Sequence, residues 1–130
     1  MGSVLLVGMG GALGAVGRYG LSLLPWRGEF PLLTLLTNLL GAVLIGFIAG
    51  LAGRGRLNPS AALFWKTGVC GGFTTFSAFS LETLALLERG KYATGALYAC
   101  GSVLACLAGV VIGRLAVRGV RAALTGSAAA

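Results

Sequence analysis

Residues Cys70–Ser80 read CGGFTTFSAFS: two adjacent glycines, four hydroxyl side chains, and a phenylalanine at every third position, set between two apolar stretches. Glycine gives up more backbone entropy on folding than any other residue and weakens a helix interior. Thr74, Thr75 and Ser77 can take over the backbone hydrogen bonds that a helix break would free. The segment therefore predicts a helix broken near the Gly71–Gly72 pair. In a membrane such a break is tolerated only where protein encloses it or where it lines a cavity, and its loose carbonyls and amides can then hold ions.

The rest of the chain supplies the membrane. Of 130 residues, 57% are apolar and 10% are charged, where a soluble domain carries roughly 25% charged residues; the mean hydropathy is +0.94. A spanning helix needs about 20 predominantly apolar residues. Residues 30–53 and 92–113 carry no charge, residues 3–24 are interrupted only by Arg18, and the fourth segment, 61–88, holds Lys66 near its start and Glu82 in its second half. The expectation is one all-α transmembrane domain with helices at about 3–24, 32–52, 61–88 and 92–117, the third broken near its middle, followed by a frayed tail at 118–130. Turns fall at PWRGEFP (25–31), GRGRLNPS (53–60) and RGK (89–91).

Composition excludes most chemistry. The chain has no histidine, and its acids are Glu29, Glu82 and Glu88, so general acid–base pairs and Ser-His-Asp triads lack parts. Cys70, Cys100 and Cys106 are odd in number, lack CxxC spacing and lie in apolar runs, which suits buried thiols. An enzyme is not expected. The +7 formal charge is not gathered on a polar face; Arg54, Arg56, Arg89, Lys91, Arg118 and Arg121 flank apolar segments, as basic residues do at membrane helix ends. Arg54, Arg56, Arg118 and Arg121 fall on the side of the N-terminus and Arg27, Arg89 and Lys91 on the other, a balance close enough to permit insertion in either orientation.

GMGGALG (8–14) resembles a dinucleotide-binding turn but departs from it. Leu13 stands where the third glycine belongs, and no acidic residue follows about 20 positions on after a second strand. Glycines recur four apart at Gly10/Gly14, Gly46/Gly50, Gly68/Gly72 and Gly109/Gly113. Small residues at that spacing let helices approach closely in lipid, either within a subunit or across a dimer seam.

Polar groups inside spans mark packed pairs or pathways. Arg18 either snorkels to the headgroups or lends positive potential to an anion vestibule. Asn38 either bonds a neighbouring helix or offers its amide to a ligand. Tyr98, Ser102 and Cys106 step by four along one face of the last helix. Phe76 and Phe79, three apart, point the same way from the helix after the break. A ring has a positive edge and a negative face, so rings presented edge-on stabilise an anion without formal charge.

Together these stretches resemble the CrcB/Fluc fluoride channel family over nearly the whole chain. GGALGAVGRYG (10–20) is similar to its motif GGxxGAxxRY, and TLLTNLLGAVLIGF (34–47) to TLxxNxxGxxxxGF. GVCGGFTTFSAFSLE (68–82) is similar to the signature GxxGGxTTFSTFSxE, with Ala78 in place of a threonine. The resemblance implies an antiparallel, dual-topology homodimer in the cell membrane, exporting fluoride passively through two pores. It implies a fluoride path along Asn38, Phe76, Phe79, Tyr98 and Ser102, shortened where Cys106 replaces a hydroxyl. It further implies a structural sodium ion at the dimer centre, held by the backbone carbonyls of Gly71 and Thr74. Arg18 matches the arginine of the first motif, as vestibule or packing residue, and Glu82 the acid that ends the signature, read as structural. The competing expectation, a small four-helix dual-topology multidrug transporter, requires a titratable carboxylate in the first helix, which has none.

Overall fold

The computed structural model describes residues 2–126. Its elements are helices: α1 (Gly2–Ser22), α2 (Leu32–Ala52), α3 (Pro59–Ala62) running into a π-helical stretch (Leu63–Cys70), α4 (Gly71–Phe73), α5 (Phe76–Glu88) and α6 (Tyr92–Gly126). Four spans among the described residues are long and apolar enough to cross a bilayer, the third being Pro59–Glu88. The chain is a multi-pass, all-α membrane protein.

Local sequence sets the boundaries. Asn58 caps α3, its Oδ1 accepting from the Ala61 amide at 2.7 Å, with Pro59 in the first turn, where its missing N–H costs nothing. The short link between α5 and α6 turns on Gly90 at φ 72°, a left-handed conformation that glycine takes without strain. Beyond residue 117, where a frayed tail is expected, the Arg- and Ala-rich run RLAVRGVRAAL holds no stop signal, and α6 continues to Gly126. The remainder of that expected tail, 127–130, lies outside the described residues.

The small residues do their packing inside the subunit. α1 runs parallel to the first half of the third span. A Cβ on Gly68 would lie 2.9 Å from the Gly10 Cα, and one on Gly14 or Gly72 would strike the Val69 or Gly11 carbonyl oxygen. α2 runs parallel to α6 in the same manner: a Cβ on Gly46 would strike the Val110 carbonyl, and one on Gly113 the Val43 carbonyl. Each pair of four-spaced glycines thus finds its counterpart in the same chain.

The break in the third span falls a turn later than the sequence suggests. Gly71 is helical, at φ −63° and ψ −40°, and Gly72 lies within α4. The extended residues are Thr74 (φ −82°, ψ 157°) and Thr75 (φ −148°, ψ 113°). The reason is packing: Gly72 is needed where α4 touches the α1 backbone, a contact that a regular helix can make. The threonines, whose hydroxyls serve as substitute partners, carry the interruption. Thr75 is the N-cap of α5, its Oγ1 accepting from the Ala78 amide at 3.1 Å.

Candidate functional site

Asn38 fixes the break. From α2, its Oδ1 accepts from the Thr75 amide at 2.8 Å and its Nδ2 donates to the Thr75 carbonyl at 3.1 Å. The side-chain amide thereby completes both backbone groups of the residue that leaves the helix, and one Nδ2 hydrogen remains. A consequence reaches two carbonyls. In an uninterrupted helix the Thr75 amide would bond the Gly71 carbonyl and the Ala78 amide the Thr74 carbonyl. Here the first goes to Asn38 and the second to Thr75 Oγ1. Gly71 and Thr74 are thus the two residues at the break whose carbonyls lose their helical donors to side chains. Hard, neutral oxygens of this kind suit an alkali or alkaline-earth cation rather than a soft metal. Of the two carbonyls between them, those of Gly72 and Phe73, the first accepts from Arg18 Nε at a long 3.4 Å. Arg18 is half-buried and turned toward the break.

Beside the break lies a groove of about 380 Å³ between α2, α5 and α6, lined by Asn38, Thr74, Thr75, Phe76, Phe79, Ser102 and Cys106 among apolar side chains. The rings of Phe76 and Phe79 lie 5.4 Å apart at 42°, and Phe79 stands 5.3 Å from Tyr98 at 52°. Phe76 is 78% exposed in the single subunit. Ser102 is 4% exposed, and its Oγ has no hydrogen-bond partner among the described residues. Helical serines commonly bond the carbonyl four residues back, so a buried hydroxyl on the groove wall that does not do so is a donor in reserve. No charged side chain lines the groove.

Tyr98 occupies a different place from its neighbours on the four-residue step. It is fully buried and stands behind Phe79, off the groove wall, and its hydroxyl donates to Glu82 Oε2 at 2.6 Å. The other oxygen of that carboxylate, Oε1, accepts from Thr34 Oγ1 at 2.7 Å. Phe30 meets the Tyr98 ring edge to face at 5.5 Å. Glu82 is the group to which sequence reasoning assigned least. The signal was present in the register, because Thr34 lies one turn from Asn38 on α2 and Glu82 two turns from Thr75 on α5. Pairing Asn38 with Thr75 in antiparallel helices brings the other two together. Glu82 also borders a second cavity of about 290 Å³ under the 25–31 turn, with Trp26, Phe30 and Arg89. There Lys91 pairs with Glu29, and the Lys91 ammonium holds the Glu29 carboxyl below the usual carboxylate range; the pair is exposed and stabilises little. Of the cysteines, Cys70 is buried and Cys106 borders the groove, but Cys100, expected to be buried, is exposed on the outer face of α6.

Fold and groove together define a small polytopic membrane protein whose uncharged donors and aromatic rims gather at an interrupted span, an architecture for carrying a solute through a bilayer. The family model described as CrcB-like protein, Camphor Resistance (CrcB), matches residues 5–114, and the chain belongs to that family. It is 46% identical over 119 residues, 88% of this chain and 94% of the relative, to the fluoride-specific ion channel FluC of Nitrobacter winogradskyi. It is 47% identical over 117 residues, 88% of this chain and 94% of the relative, to the protein of the same name in Paracoccus denitrificans. With that of Chlorobium chlorochromatii it shares 45% over 118 residues, covering 88% and 92%.

Proposed function

We propose that this protein is a fluoride-specific ion channel, not an enzyme, and that it lets fluoride leave the cell passively across the plasma membrane. Family membership gives the class of function. The observation that carries the reading at the level of residues is the groove, where the Ser102 hydroxyl, the remaining Asn38 amide hydrogen and the Phe76 and Phe79 rings converge without a full charge. Fluoride is small and strongly hydrated, and it crosses only where fixed donors and ring edges replace its water. A buried arginine in direct contact with the ion would bind it too firmly to release it, whereas partial charges allow entry and exit. Tyr98 acts through Phe79, backing its ring while its hydroxyl serves Glu82.

Purified protein in liposomes should release loaded fluoride to an external electrode and retain chloride. Equal permeability to both halides, or none to either, would remove the assignment.

The working unit in this reading is an antiparallel homodimer with two pores. A single subunit leaves the groove open on one side and Phe76 mostly exposed, so a second copy is needed to enclose the path. The Gly71 and Thr74 carbonyls of two subunits would supply four oxygens to a central sodium ion, a charge that would hold the breaks together and lower the barrier for an anion nearby. Dimer stability in detergent should therefore rise when sodium replaces a large organic cation at equal ionic strength. If the two salts give the same monomer–dimer balance, the sodium site goes and the channel assignment stands on the flux result.

A further inference from the structure

One end of the molecule concentrates positive charge. Arg54 and Arg56 follow α2, Arg114, Arg118 and Arg121 lie in the last turns of α6, and all three acidic side chains, Glu29, Glu82 and Glu88, belong to the opposite half. That other end answers Arg27, Arg89 and Lys91 with Glu29 and Glu88, and Lys91 is paired with Glu29. The arginine end has no such neutralisation from side chains.

The fold draws the end of α2 and the last turns of α6 together. Arg54 Nη1 donates to the Val117 carbonyl at 3.4 Å, between Arg114 and Arg118. Gly55, at φ 66°, makes the tight turn that separates Arg54 from Arg56. Gly50 seats the end of α2 on α6, where a Cβ would lie 3.1 Å from Val117 Cγ2. Arg54, Arg56, Arg114 and Arg118 are all exposed. α6 is 35 residues long, whereas the hydrocarbon layer needs about 20. Residues 92–113 are uncharged, so Arg114 marks the layer's edge and the helix runs on for about 20 Å, through the headgroup zone. Immediately on the membrane side, on the helical face that carries Arg114 and Arg118, Leu107 and Val111 are exposed apolar side chains.

We propose that this patch is a binding site for anionic phospholipid. Guanidinium groups match phosphate oxygens in a planar, bidentate manner, and clustered basic residues at the end of a span attract anionic headgroups. The occupant is a lipid and not a soluble anion because the arginines sit directly above exposed apolar surface. One molecule satisfies both, with its phosphate against the guanidiniums and its acyl chain along Val111 and Leu107.

The test uses the full-length protein in nanodiscs of mixed phosphatidylcholine and phosphatidylglycerol, with the retained lipids counted by native mass spectrometry. Phosphatidylglycerol should be retained in roughly fivefold excess over its share in the disc. Arg54→Gln with Arg118→Gln should bring that ratio to the disc composition with fluoride efflux unchanged, while Arg89→Gln with Lys91→Gln should leave it high. Should the glutamine pair fail to incorporate, Arg54→Lys with Arg118→Lys keeps the charge but loses the planar fork, and retention should fall partway. Retention at the disc ratio by the unmodified protein, or an effect confined to the Arg89/Lys91 variant, overturns the proposal. So does displacement of the lipid by inorganic phosphate, which would identify a plain anion site.

Discussion

Phe79→Ile should reduce fluoride efflux from proteoliposomes by about a hundredfold while the protein still folds. Isoleucine fills a comparable volume and keeps the groove wall apolar, but it has no ring and so no electropositive rim. The loss to folding is confined to ring–ring geometry with Phe76 and Tyr98, at 5.4 and 5.3 Å, worth roughly 0.5–1.5 kcal/mol per pair. The loss to conduction is larger, because a preorganised donor aimed at a charge in a dry site contributes roughly 3 kcal/mol, or about two orders of magnitude in rate. Phe76→Ile should act in the same direction. The comparison to make is initial efflux at an electrode against the melting transition of the same preparation. If both variants conduct normally, the rings are packing elements and fluoride travels elsewhere.

Asn38→Leu should be the most damaging single change in the molecule, abolishing flux and lowering stability by roughly 2–4 kcal/mol. It deprives both backbone groups of Thr75 of their partner at once, in a setting without water to replace it. The Thr75 amide would then fall back on the Gly71 carbonyl and heal the helix, removing the interruption on which the path depends. Asn38→Asp separates the two roles. It keeps an acceptor for the Thr75 amide, so most of the fold should survive, but it loses the donor and places a negative charge on the groove, so fluoride flux should still fail. A leucine variant that melts and conducts like the unmodified protein would show that the threonines hold the break alone.

The groups around the break were visible one at a time in the sequence, and their partnerships were not. Asn38 could bond a helix or offer its amide to a ligand; the tertiary structure makes it do the first, with one acceptor and one donor position fixed on Thr75, leaving one hydrogen for the second. Tyr98, Ser102 and Cys106 share a helical face, and that periodicity placed Ser102 and Cys106 on the groove. It could not reveal that Tyr98 would be drawn away by a carboxylate sixteen residues earlier. The paired glycines suggested the break, yet they answer to α1. A glycine reports that backbone must be bare without saying whether for bending or for close approach.

By itself the sequence determined that this chain lives in a bilayer, crosses it four times, interrupts its third span beside phenylalanines and carries no catalytic apparatus. Those properties follow from run length, charge placement and residue chemistry, which act locally along the chain. Tertiary structure alone decided where the interruption falls, which carbonyls it frees, and that the glycine pairs serve contacts within one subunit. These depend on register between helices distant in sequence, where a shift of one residue turns a side chain by about 100° and exchanges one partner for another.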